Sequence, residues 1–265
     1  MNRSSYLYWV KFDRKHQENL TSFYCQIVQV YADSKGIYVA PKITYALRSQ
    51  GILCSVSKVS KAMVLLGIRS IVTKRFPKKV SRITEKEKNL IVNLIKDLEI
   101  THLNQVWTTD ITYISTIYDG TFYLISFLDY FSKKVVAWGL FEDQKADKVI
   151  FVLKKAIEKR KSSPALISHS DKGPQMRAKL YRVFLKNHHL VPSYTSLDHS
   201  CDENAAQESF HASLKKECIY QHQIYTFEDA FKYIHDNIEG FYNPIRSHSS
   251  IGYLSPNQFE SRLNF

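Results

Sequence analysis

Trp107-Thr108-Thr109-Asp110-Ile111-Thr112-Tyr113 is the stretch on which the fold turns. Its β-branched and aromatic residues predict a strand from Val106 to Tyr113, and Asp110 interrupts it with a charge. Two further runs of the same character follow, Thr121 to Leu128 and Lys133 to Leu140. Asp119-Gly120 and Ser132-Lys133 mark the turns, so the three read as an antiparallel meander. Downstream, Val149, Val152, Leu153 and Ala156 make one apolar face of a helix over 145–161. Residues 165–168 read as a short buried strand, 176–188 as a helix, 189–194 as extended and 203–217 as a helix. Thr226 caps a last helix that buries Phe227, Ala230, Phe231, Ile234 and Ile238. Three strands, helix, strand, helix, strand, helix predicts a mixed five-stranded sheet covered by helices, the order of a ribonuclease-H-like α/β fold.

Working back toward the N-terminus, the character changes. Residues 1–15 read as an irregular leader. Leu20, Phe23, Ile27 and Val30 recur at helical spacing between Glu18 and Tyr31. Pro41 suits the first turn of a second helix, with Ile43, Ala46 and Leu47 inside and Gly51 as its stop. Ser57 is the expected N-cap of a third, with Val59, Ala62, Met63 and Leu66 inside and Gly67 closing it. Three short helices over 16–72 fit a helix-turn-helix DNA reader, with Lys58, Lys61 and Arg69 on or beside the last. The basic stretch 73–88, carrying Lys74 and Arg75 and broken by Pro77, reads as a linker able to lie on phosphates. Thr84, Glu85 and Glu87 open a helix expected to run to about Leu98. The core is then expected over 101–265.

Charge supports this division. The 265 residues carry a formal net charge of +12. Residues 1–100 hold 18 Lys and Arg against 7 Asp and Glu, whereas residues 101–265 hold 19 against 18. A basic arm on a nearly neutral body points to a polyanion partner. The four cysteines form no CxxC, which argues against a zinc ribbon or a redox pair. No apolar run is long enough for a membrane helix and no signal-peptide pattern opens the chain, so a cytoplasmic location is expected.

Asp110 within its strand, Asp171 after the strand before it and Glu208 on the helix 203–217 are the acids to weigh. A carboxylate among buried residues is costly without a cation or partner. Three oxygen donors without clustered Cys or His suit Mg²⁺ or Mn²⁺, and two such ions can hold both oxygens of a phosphodiester exchange. Taken singly, each acid is equally readable as a turn, cap or surface residue. Asp129, before the turn at Ser132, reads that way.

Several ordered segments resemble one family. They are Trp107 to Tyr113, Leu128-Asp129-Tyr130-Phe131-Ser132, His169-Ser170-Asp171-Lys172-Gly173 and Asn204-Ala205-Ala206-Gln207-Glu208-Ser209-Phe210, then Leu214 to Glu217 and the tail Tyr242 to Pro256. The chain is similar over most of 20–262 to the OrfB-type transposases of bacterial copy-out–paste-in insertion sequences, relatives of retroviral integrases. That resemblance implies a catalytic, metal-binding triad of Asp110, Asp171 and Glu208 with two Mg²⁺ or Mn²⁺ ions. It implies DNA cleavage that frees a 3′-OH and direct strand transfer by that hydroxyl. Lys215, two helical turns beyond Glu208, is expected at DNA, Arg246 and His248 in the tail are expected to brace the active-site face or touch DNA, and His169 and Asn204 are expected behind the carboxylates. The expected partners are double-stranded DNA, further copies of the chain, and an upstream helix-turn-helix protein joined by frameshifting. Between Asp171 and Glu208 lie 36 residues, one more than the family pattern, an excess that the loop 196–202 absorbs. Pro174, Met176 and Val39 also depart from that pattern. Two alternatives remain: a DNA-binding copy without catalysis, and a nuclease of the same fold acting on RNA–DNA hybrids.

Overall fold

The computed structural model describes residues 19–72, 93–160, 165–196 and 204–263. The chain forms two compact units, divided between Phe76 and Pro77.

The N-terminal unit holds three helices: α1 (residues 19–33), α2 (Ala40–Ser49) and α3 (Val56–Leu65). Phe23, Ile27 and Val30 of α1, Ile43 and Leu47 of α2, and Val59, Ala62 and Met63 of α3 are buried. Pro41 lies in the first turn of α2, where a missing N–H costs nothing. The cap of α3 is Ser55, two residues before the Ser57 expected from sequence: its hydroxyl accepts from Lys58 N at 3.1 Å. A serine caps only where its own backbone is extended, and Ser55 is extended whereas Ser57 is already helical. Ser55→Ala should therefore cost about 1 kcal/mol in chemical denaturation, and Ser57→Ala almost nothing. Equal losses would return the cap to Ser57.

The C-terminal unit is built on β1 (Val106–Ser115), β2 (Thr121–Asp129), β3 (Val135–Phe141), β4 (Ile167–Ser170) and β5 (Val191–Tyr194). Their order is β3-β2-β1-β4-β5. β1, β2 and β3 pair antiparallel, and β4 and β5 run parallel to β1. The β1–β2 hairpin turns through Gly120, whose φ of +86° strains any side chain. Helices α4 (Ala146–Arg160), α5 (Pro174–Arg177) and α6 (Lys179–Asn187) cover one sheet face with Trp107, Phe127 and Val136 in the core. Helices α7 (Ala205–Glu217) and α8 (Phe227–Asn237) cover the other with Ile114, Leu124 and Leu128. Helix α9 (Pro256–Leu263) closes the chain, and its Glu260 is held by Arg160, Lys134 and Ser132. This is the mixed, helix-covered sheet expected from sequence, the ribonuclease-H-like fold.

Three local readings change. The helix expected over 84–98 does not reach its end: residues 93–98 turn, because Asn93 Oδ1 accepts from Ile95 N and Leu94 N donates to Ser193 Oγ on β5. Residues 84–92 lie outside the described residues. The helix expected over 176–188 is two, broken at Ala178, where ψ is 138°. β4 lies two residues later than expected, since Ala165 at φ 73° delays it. Among the described residues no helix is long and apolar enough to cross a membrane.

Candidate active site

Strand register brings the first two acids together. Parallel β1 and β4 pair from Val106↔Ile167 to Thr109↔Ser170. Asp110 and Asp171 each follow the last pair, so they stand side by side where the two strands part, roughly one interstrand spacing of about 4.8 Å in backbone terms. Asp171 is open to solvent. Nevertheless its carboxyl is pushed above the ordinary value, first by desolvation from the protein atoms around it and then by the like charge of Asp110. The N–H of Gly173, donated to Asp171 Oδ1 at 3.0 Å, and the charge of Arg177 oppose the rise. A Cβ at 173 would stand 3.0 Å from that same oxygen, so a larger residue there would have to push the Asp171 carboxylate aside.

A raised carboxyl contributes stability below the ordinary aspartate value and loses it as pH climbs through the raised one. Asp171→Asn, which keeps the Oδ1 acceptor, should therefore raise the melting temperature at pH 7 in chelator. The gain should vanish below the ordinary aspartate range. A less stable variant at pH 7 would remove the charge conflict from the account.

Asp110 lies on the sheet face covered by α7. Its Oδ1 accepts from Ile111 N at 2.8 Å and its Oδ2 lies 3.3 Å from His211 Nδ1. Helix α7 buries Gln207, Phe210, His211 and Leu214 against the sheet. Glu208, in the first turn, faces solvent one turn before His211. Lys215, on the Glu208 face two turns on, sets its Nζ 4.3 Å above the Tyr113 ring. Burial lowers the Lys215 pKa, and the charge of Asp110 opposes that fall.

Two carboxylates beside each other, Asp171 exposed and Asp110 half-buried, fit Mg²⁺, which commonly takes one or two carboxylates and completes its shell with water and substrate phosphate. Among the described residues, no three His, Cys, Asp or Glu side chains are gathered to hold a metal ion. Glu208, on the solvent side of α7, does not join Asp110 and Asp171 in one such group.

The other expected residues fall elsewhere. His169 is fully buried, and its Nδ1 pairs with Ser193 Oγ at 2.9 Å, which joins β4 to β5. It does not share a strand face with Asp171, because β4 ends at Ser170. Asn204 precedes α7, and its carbonyl accepts from Gln207 N and Glu208 N. Arg246, expected to brace the active-site face or touch DNA, turns into the protein: its Nε and Nη2 grip Glu217 at 2.7 Å each, and Nη2 reaches Ser213 Oγ at 2.9 Å. A guanidinium fork matches a buried carboxylate better than any exposed contact would. His248 packs edge-on against Tyr242 beside Arg246. Asp129 is a turn residue, its carboxylate accepting from Asn104, Phe131 and Ser132 N–H. Lys58 and Lys61 are exposed on α3 and Arg69 is exposed after it, while Lys74 and Arg75 lie outside the described residues. Sequence reasoning passed over His211 and Gln207. Their signal was two polar residues four apart on a helix face otherwise made of Phe210 and Leu214.

Two integrase core domain families match the chain, one over residues 101–200 and one over 193–256. Transposase InsF for insertion sequence IS3A of Escherichia coli K12 is 33% identical over 239 residues, 89% of this chain and 81% of that protein. The transposase for insertion sequence element IS904 of Lactococcus lactis is also 33% identical over 239 residues, 89% of this chain and 92% of its own. Among solved structures, the HTLV-2 integrase catalytic core domain is 16% identical and covers 59% of this chain and 95% of its own, with a TM-score of 0.46. With 33% identity across 89% of its length, and an integrase core over the residues that include Asp110 and Asp171, the chain belongs to the IS3-family insertion-sequence transposases, polynucleotidyl transferases of the DDE type.

Proposed function

We propose that this transposase binds the terminal repeats of its insertion element, frees a 3′-OH at each end and joins it to another DNA strand. Asp110, Asp171 and Glu208 are the acting carboxylates of this reading. The observation that carries it is the pairing of Asp110 with Asp171 at the end of the β1–β4 ladder, directly against the helix that bears Glu208 and Lys215. Two Mg²⁺ or Mn²⁺ ions, when bound, would neutralise charge at the phosphate and lower the pKa of the attacking oxygen. Asp110 and Asp171 would hold them, and Glu208 would join as DNA phosphate enters. Lys215 would hold a phosphate beside the carboxylates, its ammonium already steered by Tyr113. Neither Ser nor Cys is needed as a nucleophile, because water or the 3′-OH attacks directly.

The helices of residues 19–72 and the basic stretch after them would supply most of the affinity, with Lys58, Lys61, Arg69, Lys74 and Arg75 on phosphates. Each lysine lifted from a phosphate flattens the slope of log affinity against log salt by about 0.9. Replacing Lys58 and Lys61 together by Ala should reduce that slope by up to about 2. An unchanged slope would move the DNA contact off α3. The same reading includes assembly of several copies on paired ends, fusion to an upstream helix-turn-helix protein, and action in the bacterial cytoplasm, where the element DNA lies.

The test is strand transfer by purified chain with Mg²⁺ or Mn²⁺ and labelled duplexes carrying the flanking element's terminal repeats. Joined product that disappears with Asp171→Asn is expected. Binding without product, even with the upstream half fused, would favour a non-catalytic DNA-binding copy. Equal cutting of RNA–DNA hybrids would favour a nuclease.

A further inference from the structure

We infer that His211 is a positioning residue: its Nδ1–H holds the Asp110 carboxylate in the orientation the reaction uses. This rests on the reading of Asp110 as an acting carboxylate. His211 is 7% exposed on the sheet-facing side of α7, with Nδ1 3.3 Å from Asp110 Oδ2. Its other nitrogen, Nε2, lies 3.2 Å from Ser126 Oγ and 3.4 Å from Gln207 Nε2. Ser126 is the register partner of Asp110 across β1 and β2, so one ring spans two neighbouring strands.

Donor and acceptor chemistry fixes the tautomer. An ionised carboxylate only accepts, and the Gln207 amide nitrogen only donates. A hydrogen on His211 Nε2 would oppose that amide, so Nε2 accepts and Nδ1 carries the hydrogen. The remaining bonds agree. Thr108 Oγ1 donates to Gln207 Oε1 at 3.4 Å. Gln207 Nε2 donates to the Ser126 carbonyl at 3.3 Å and to the Ser126 hydroxyl. The Ser126 hydroxyl is left to donate to His211 Nε2. From Gln207 through the Ser126 hydroxyl to His211 the hydrogens lead toward Asp110, while the second Gln207 amide hydrogen goes to the Ser126 carbonyl. Ile111 N donates to Asp110 Oδ1 and the His211 ring stands 3.3 Å from Oδ2, so protein groups flank both oxygens of Asp110 and each keeps lone pairs for other partners. Because His211 lies one turn after Glu208, the same contact sets the rotation of the helix that presents Glu208.

The test uses the full chain. Long-range ¹H–¹⁵N spectra of histidine-labelled protein, without DNA or metal, should show His211 as the Nδ1–H tautomer, its signals identified by their loss in His211→Asn. His211→Phe fills the space without a donor. It should weaken Mn²⁺ binding to DNA-free protein, read by calorimetry, and slow strand transfer, each by about 10–100-fold. Terminal-repeat affinity and melting temperature should stay near wild type. His211→Asn, whose amide N–H can stand near the Nδ1 position, should recover most of both losses. An Nε2–H tautomer would overturn the inference, and so would a Phe variant with wild-type Mn²⁺ affinity and rate. Should the Phe variant fail to fold, the tautomer and the Asn variant still decide. Asp110→Asn is run in parallel: full activity there would remove the reading beneath the inference, whereas an inactive Asp110→Asn beside a wild-type His211→Phe would remove the inference alone.

Discussion

Asp110→Asn, Asp171→Asn and Glu208→Gln are each expected to slow strand transfer by at least about 10³-fold, because a metal-held carboxylate supplies several kcal/mol of transition-state stabilisation. Affinity for terminal-repeat duplex should stay within about threefold, since phosphate contacts elsewhere provide it. The substitutions are near-isosteric, so a folding defect does not mimic the result. Asp171→Asn is the sharpest of the three, since it should gain stability at pH 7 while losing activity. Glu208→Gln asks a separate question. Asp110 and Asp171 are neighbours by register, whereas Glu208 is not gathered with them in a metal-binding group among the described residues. A Glu208 variant with wild-type rates would therefore leave a two-carboxylate site and overturn the triad.

Arg246→Ala should destabilise the C-terminal unit by about 3–5 kcal/mol, the usual cost of stranding one partner of a buried ion pair. For a unit of this size that is a fall in melting temperature of roughly 6–20 °C. Glu217 and Arg246 side chains are 5% and 12% exposed, and the two bonds of 2.7 Å make the fork-to-carboxylate match that lysine cannot reproduce. Arg246→Lys should thus recover little. Replacing both partners with Leu and Met should cost less than Arg246→Ala alone, because no charge is left buried. If the alanine variant melts like wild type yet loses DNA affinity, Arg246 belongs at the DNA after all.

Much of the fold was legible because its signals are local. The β-branched runs around Asp110 form β1 to β3 near the expected limits, and the stripe of α4 buries the residues that its periodicity marks, whereas α8 buries Ala230 and Ile234 but leaves Phe231, expected inside, 44% exposed. Boundaries slipped where single residues decided them: Ser55 in place of Ser57, Ala178 inside a presumed single helix, and Asn93 in a turn where the end of a helix was expected. Arg246 and His169 resisted assignment for a different reason. A charged or titratable side chain in a strand or tail has the same sequence signature whether it meets DNA, a catalytic carboxylate or a buried partner.

By itself the sequence determined which residues could do chemistry and on what elements they ride: Asp110 in a strand, Asp171 after one, Glu208 and Lys215 on one helix face. Helical and strand periods fix those facts, and they need no knowledge of what packs against what. Tertiary structure alone decided which of them meet. Asp110 and Asp171 become neighbours through the Thr109↔Ser170 register, and His211 finds Asp110 only because α7 packs on that sheet face. Arg246 finds Glu217 in the same way, across the fold. Contacts between distant segments depend on register and helix packing, and a one-residue slip in either would exchange every partner while leaving each local pattern intact.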